Sequence, residues 1–425
     1  MTHVLRTTSP LLLGIMLLMI GNGLQGTLLG VRGTAEGFST FEISIVMSGY
    51  FAGFLGGSQA APRLIRRVGH VRVFAALASF ISAALILFPV ATNPWVWTAL
   101  RIALGFCFSG VYVTAESWLN NSTSNDQRGK VLSAYMLVQT LGIIVAQVIL
   151  AQGDPSGYVL FIIPSVLVSI SFAPILLAVT PTPAFDTTKP MTLRELLRAS
   201  PLGCVGMFLM GGVFASQMAM AAVYGGQANF NLAQISGFVA AIYLGALVLQ
   251  LPIGWLSDHS DRRKVILGAA GVGALACLFG TLFSSTYIFI LAAGFVAGGM
   301  ASPLYSLLIA HTNDYLEPED MAASSGGLIF INGVGAVGGP LIAGWLMGAV
   351  GPRGYWLFQF VLMGGLALYA MWRMTRRASV SVEDSSAYVA VSPSSTPVVA
   401  EVAQEVAIEM AEEAQALEEN AEERS

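Results

Sequence analysis

The chain has 425 residues, of which 55% are hydrophobic and only 10% charged, with a formal net charge of −4. Soluble domains carry about 25% charged residues, so an ordinary water-soluble enzyme or binding module is excluded. The mean hydropathy of +0.72 agrees. Apolar blocks of about 20 residues, the length needed to cross a bilayer, recur along the whole chain. In order they cover residues 10–29, 41–61, 73–92, 95–119, 131–151, 158–179, 202–224, 235–256, 265–284, 287–310, 322–350 and 354–372. The pattern predicts an all-α membrane protein with twelve transmembrane helices. Several blocks contain Gly or Pro, which neighbouring helices tolerate inside a membrane. The first follows Arg6 but lacks a small-x-small cleavage site, so it reads as an uncleaved helix.

Lys and Arg placement sets the orientation. With both termini cytoplasmic, 17 of the 20 basic residues fall on the inner side, two (Arg32 and Arg353) on the outer side, and Arg101 within a span. The expected location is a bacterial cytoplasmic (inner) membrane. Cys107, Cys204 and Cys277 lie inside spans without metal-ligand spacing and read as inert thiols.

The longest internal connection covers residues 180–201 and divides the chain into bundles 1–179 and 202–377. Within it, Thr192 and Glu195 have the spacing of a capping box. Leu193, Leu196 and Leu197 then give a short apolar face, so the connection predicts either a brief helix on the inner surface or a solvated linker. Residues 378–425 form a tail with eleven acids and one base. Its Ser/Pro-rich start and its charge run predict a disordered, solvated segment. Val399, Val402, Val406, Met410 and Leu417 follow an approximate helical period. An acidic amphipathic helix docked on the basic face is therefore the alternative. The acidic sign argues against a nucleic-acid partner.

Two charged turns occupy equivalent places in the two halves. One runs from Arg63 through Arg66, Arg67 and Gly69 to Arg72; the other runs Gly254-Trp-Leu-Ser-Asp258-His-Ser-Asp261-Arg262-Arg263-Lys264. Duplicated halves that rock against each other are the usual build of a secondary transporter. With this division and these turns, the chain resembles the major facilitator superfamily, and within it the bacterial YcaD-like branch. The family's loop motif, Gly-x-x-x-Asp-(Arg/Lys)-x-Gly-(Arg/Lys)-(Arg/Lys), is matched by Gly254, Asp258, Arg262 and Arg263, with Asp261 in place of the second Gly. The earlier turn keeps Gly69 but has Arg66 where the family has Asp. Arg101-Ile-Ala-Leu-Gly105 is similar to the family's buried Arg-x-x-x-Gly motif, and its antiporter motif is absent from the fifth span. The resemblance implies two pseudosymmetric six-helix bundles working by alternating access, with the first, fourth, seventh and tenth spans lining the cavity.

Ionisable residues inside a bilayer are costly and are functional candidates by default. Arg101 is the one deep cation, and Glu116 stands 15 residues further along the same span. That separation places them about 22 Å apart in depth and about 60° apart around the helix. Arg101 could bind an anion or clamp helices, and Glu116 could accept a proton or do the same. Under the implied cavity arrangement, Asn22, Gln25, Arg101, Tyr112, Gln217 and Tyr305 are the candidate substrate contacts. Amides also glue helices together. The cavity suits either a small polar, even anionic, solute or an amphipathic drug.

The turn before the eleventh span carries Asp314, Glu317, Glu319 and Asp320 and no Lys or Arg. The polarity of the family's gate is therefore swapped, which predicts an inner gate of two ion-pair clusters. One joins Arg66 and Arg67 to Glu319 and Asp320; the other joins Asp258 to Arg128 and Lys130. No phosphate loop, metal cluster or catalytic dyad is apparent, so neither an enzyme nor a cofactor is expected. The expected protein is a monomeric secondary active transporter of a small molecule, with proton-coupled efflux as its leading form. Nutrient uptake and a non-transporting membrane sensor that signals through the tail are the alternatives.

Overall fold

The computed structural model describes residues 2–121, 125–177, 191–284, 286–381 and 385–422, with side chains for 9–120, 127–173, 191–284, 286–317, 320–381 and 385–409. The first half contains α1 (Thr2–Ala35), α2 (Thr40–Val68), α3 (His70–Leu87), α4 (Pro94–Asn121), α5 (Asn125–Ala151) and α6 (Val159–Leu177). A short α7 (Leu193–Ala199) precedes the second half, which contains α8 (Pro201–Gln227), α9 (Leu232–Asp258), α10 (Arg262–Leu282), α11 (Tyr287–Asn313), α12 (Pro318–Val350) and α13 (Arg353–Met374). The tail forms α14 (Pro397–Glu422).

Each of the twelve predicted apolar segments coincides with one helix, and ten of the described helices are long and apolar enough to cross a membrane. Local chemistry sets the helix boundaries. Ser39 with Glu42, Thr192 with Glu195 and Asn231 with Gln234 form capping boxes at the starts of α2, α7 and α9. Such caps satisfy backbone N–H groups that have no partner within the helix. Between α2 and α3 the chain turns at Gly69, whose φ of 86° favours glycine.

Pairing in one half is repeated in the other. Within the first, α2 lies against α4, α1 against α5 and α3 against α6; within the second, α9 lies against α11, α8 against α12 and α10 against α13. Small residues make the approach close, as in membrane helix interfaces generally. A Cβ on Gly53 would lie 1.9 Å from the Ile102 carbonyl oxygen, and one on Gly105 would lie 1.9 Å from that of Tyr50. Gly245 stands 1.9 Å by the same measure from the Phe295 carbonyl in the matching α9–α11 pair. The symmetry is thus built into the contacts.

The two halves touch unevenly. At the ends of α1, α2, α8 and α12 far from the tail, Gln227 Nε2 donates to Thr40 Oγ1 at 2.6 Å. Nearby a Cβ on Gly344 would lie 2.3 Å from that of Ser44. Deeper in, Ser48 Oγ donates to the Val337 carbonyl at 2.6 Å. That face is closed. At the other face, where the Arg-rich turns lie, the halves are separated and the tail runs between them. α14 packs against α4 and α5 of one half and α12 of the other.

This arrangement differs from the solvated tail that the charge run suggests. Val399, Ala400, Val402, Ala403, Val406 and Ala407 are all buried. An apolar stripe at helical spacing buries itself whatever the charge on the opposite side.

The α2–α4 contact gives a direct test. Gly53→Ala forces a methyl group into backbone and should destabilise the protein by about 1–3 kcal/mol. Gly56→Ala, three positions along with nothing within 4 Å of its Cβ, should change stability by no more than about 0.5 kcal/mol. Thermal unfolding of the two variants purified in detergent checks both.

Candidate transport cavity between the halves

The Gly105 contact brings α4 so close to α2 that Arg101, one turn away, lies over the Tyr50 ring. Its guanidinium carbon is 4.6 Å from the ring centroid. Arg101 Nη1 donates to Gln25 Oε1 at 2.7 Å, and Nη2 approaches Met47 Sδ at 3.5 Å. With 1% exposure, the side chain is fully enclosed in the first half. Asn22 Nδ2 donates to the hydroxyl oxygens of Tyr50 at 3.1 Å and Tyr112 at 3.0 Å. Of the six predicted contacts, Asn22, Gln25, Arg101 and Tyr112 therefore form one cluster, joined by Tyr50.

Gln217 and Tyr305 lie elsewhere. Gln217 Nε2 donates to Gln359 Oε1 at 2.9 Å in the second half. Tyr305 is buried on α11, with its hydroxyl unpartnered. Tyr50, Met47 and Gln359 were missed in the sequence. Gln359, an amide in an apolar span, carried a readable signal. Tyr50 did not, since its role follows from the helix approach at Gly105.

A cavity of about 60 Å³ lies between the halves, lined by Asn22, Gln139 and Gln217 together with Met19, Phe214 and Met218. Arg101 does not line it; Tyr50, whose ring Arg101 packs on, lines an adjoining pocket with Phe54 and Asn332. Asn22 Oδ1 and both amide atoms of Gln139 are buried without a protein partner. Each such atom costs about 1–3 kcal/mol when left without a hydrogen bond. Tail residues Ser392, Pro393 and Ser394 also line the cavity.

Glu116, 1% exposed, lies towards the basic face. Tyr135 donates its hydroxyl to Oε1 at 2.5 Å, and Thr396 of the tail donates to Oε2. The Thr396 contact was not foreseen; its mark in the sequence is its place just before Pro397, since proline favours the first helical position.

The predicted gate residues are spread out in this conformation. Arg66 and Arg67 are exposed at the end of α2, and Asp320 is exposed at the start of α12; the Glu319 side chain lies outside the described residues. Asp258 Oδ1 is 3.8 Å from Arg262 and accepts the Tyr388 backbone N–H at 2.8 Å. Arg262 pairs with Asp314 and donates through Nε to Ser257 Oγ at 3.0 Å. Arg263 pairs with Asp261 at 3.1 Å and donates to the Arg377 carbonyl at 2.7 Å. Arg128 pairs with Glu405 of α14 at 2.6 Å. Burial raises the Glu405 carboxyl above its usual range, and Arg128 pulls it back.

Two six-helix halves with the same helix pairing enclose a central cavity, which is the build of a multi-pass membrane transporter. The sequence profile of the Major Facilitator Superfamily matches residues 11–244 and again 202–400. The chain belongs to the major facilitator superfamily of secondary transporters. It is 25% identical over 375 residues to an uncharacterized MFS-type transporter of Yersinia pestis (strain Pestoides F), covering 86% of this chain and 94% of that one. To the uncharacterized MFS-type transporter YcaD of Salmonella heidelberg (strain SL476) it is 26% identical over 355 residues, covering 82% and 90%. Crystal structures of the nucleoside transporter NupG share the fold. A mutant form superposes with a TM-score of 0.75 at 14% identity, over 86% of this chain and 99% of that one.

The Arg101 cluster predicts a mutational signature. Arg101→Met removes the partner of Gln25 Oε1 and should cost about 1–3 kcal/mol. Arg101→Lys should not restore it, because a point charge cannot both stack on Tyr50 and reach Gln25. Thermal unfolding of both variants is the measurement.

Proposed function

We propose that the chain is a proton-coupled exporter of small solutes that combine polar groups with an apolar body, working by alternating access across a bacterial inner membrane with its basic face in the cytoplasm. The observation that carries this reading is the cavity wall, where amides of Asn22, Gln139 and Gln217 alternate with Met19, Phe214 and Met218. Amides orient the polar groups by hydrogen bonding, and thioether and aromatic side chains adapt to varied apolar shapes. Arg101, packed on the Tyr50 ring, holds the wall in place instead of meeting the solute.

Glu116 supplies the proton site. It is a buried carboxyl between the cavity and the basic face, with Tyr135 as a hydroxyl partner. A carboxyl in that setting loses or gains charge as water reaches it, which couples protonation to the conformation of the halves. In the outward-open state, Arg66 and Arg67 meet Glu319 and Asp320 while Asp258 meets Arg128 and Lys130. Exposed ion pairs contribute only about 0–1 kcal/mol each, enough to bias an equilibrium between two closely balanced states.

Two measurements test this reading. Compounds that raise the melting temperature of the purified full chain, added to proteoliposomes holding a pH-sensitive dye, should drive proton movement opposite to their own. Glu116→Gln should abolish that movement; acidification that survives the substitution removes Glu116 as the coupling site. For the gate, an Arg66→Cys, Glu319→Cys pair should cross-link more readily when the cavity is open outward. Equal cross-linking in both states rejects the gate.

A further inference from the structure

The tail enters the opening between the halves and binds on both sides of it. On the second half it meets the charged turn after α9. Tyr388 lies against Gly254, where a Cβ would stand 2.6 Å from its ring. Its backbone N–H donates to Asp258 Oδ1 at 2.8 Å. Two residues earlier, Ser386 Oγ donates to Asp314 Oδ1 at 2.9 Å and its carbonyl accepts from Arg262. Val391 N–H donates to Ser306 Oγ at 2.9 Å, and that hydroxyl donates back to the Val391 carbonyl at 3.1 Å.

The chain then crosses to the first half. Ser392, Pro393 and Ser394 lie over the central cavity. Thr396 donates to Glu116, and Glu405 pairs with Arg128 at 2.6 Å. A solvated tail makes few such contacts; this one places polar groups on matched partners across a gap and buries its apolar stripe between them.

We propose that residues 386–409 are an intramolecular inhibitor that closes the basic-face entrance to the cavity and holds the transporter inward-open. Resting on the transport reading above, this assigns the regulation of the same site. Two features make the tail more than a cover. Thr396 takes one oxygen of the carboxyl that would carry the proton. Asp258 and Arg128, which would meet in the closed gate, are engaged by the Tyr388 N–H and by Glu405. While the tail is docked the gate cannot close, so the cavity cannot turn outward. Release of the tail frees the carboxyl, the gate residues and the entrance together.

The test uses labelling and cross-linking, which need no substrate. Cys107, Cys204 and Cys277 are replaced by Ala, and Ser302→Cys places one thiol in the cavity wall below Ser392–Ser394. In inside-out vesicles, an impermeant maleimide should label this thiol about tenfold faster when residues 386–425 are deleted, as expected if the docked state dominates in the full chain. A synthetic peptide of residues 386–409 should restore protection. Equal labelling rates with and without the tail overturn the proposal. Because a truncated chain could misfold, a Gly129→Cys, Val406→Cys pair in the full chain, where a Cβ on Gly129 would lie 3.4 Å from the Val406 side chain, provides the second arm. It should form a disulfide under mild oxidation in native membranes, and failure to form one overturns docking. If the tail protects the thiol but its deletion leaves solute-driven proton flux unchanged, docking stands and inhibition falls. If deletion exposes the thiol and no solute drives flux in either chain, the transport reading fails instead.

Discussion

A polar group inside a bilayer has to find its partner within the protein, and the organisation of this transporter follows from how that demand is met. Arg101 is enclosed by Gln25, Met47 and the Tyr50 ring. Gln217 is met by Gln359, and Glu116 by Tyr135 and Thr396. These contacts use side chains from different helices, so they fix helix positions as well as satisfying charge. The partners can be reached only because small residues let the helices approach. Tyr50 meets Arg101 because Gly53 and Gly105 allow α2 and α4 almost into backbone contact.

The same demand is met differently within one half and at the boundary between the halves. Arg101 directs Nη1 and Nη2 to Gln25 and Met47 inside one half and leaves Nε without a partner. The amides of Asn22 and Gln139 face the boundary between halves and keep atoms unpartnered. A boundary that must open and close cannot be sealed by permanent hydrogen bonds across it.

Much of the fold was legible in the sequence. Block length gave the helices, the capping box of Thr192 and Glu195 marked the start of α7, and the turn at Gly254 with Arg101-x-x-x-Gly105 pointed to the superfamily. Depth and face along α4 were also readable, since Arg101 and Glu116 are set by helical geometry alone. Partners on other helices were not. That Arg101 would pack on the Tyr50 ring depends on the α2–α4 approach, which spacing within α4 cannot report. The tail was hardest to read because its charge run and its Val/Ala stripe point in opposite directions. Only the presence of a gap of matching polarity, with Asp258 on one side and Arg128 on the other, decides which prevails.

The central claim is that the two halves rock between a conformation closed at the outer face and one closed at the basic face, with the tail favouring the first. Spin labels at positions 40 and 227, where Thr40 and Gln227 meet across the closed face, report this by double electron–electron resonance in lipid nanodiscs. The account predicts a predominant short distance in the full chain and a larger long-distance population once residues 386–425 are removed. A predominantly long distance in the full chain, or the same distribution in both, would contradict it.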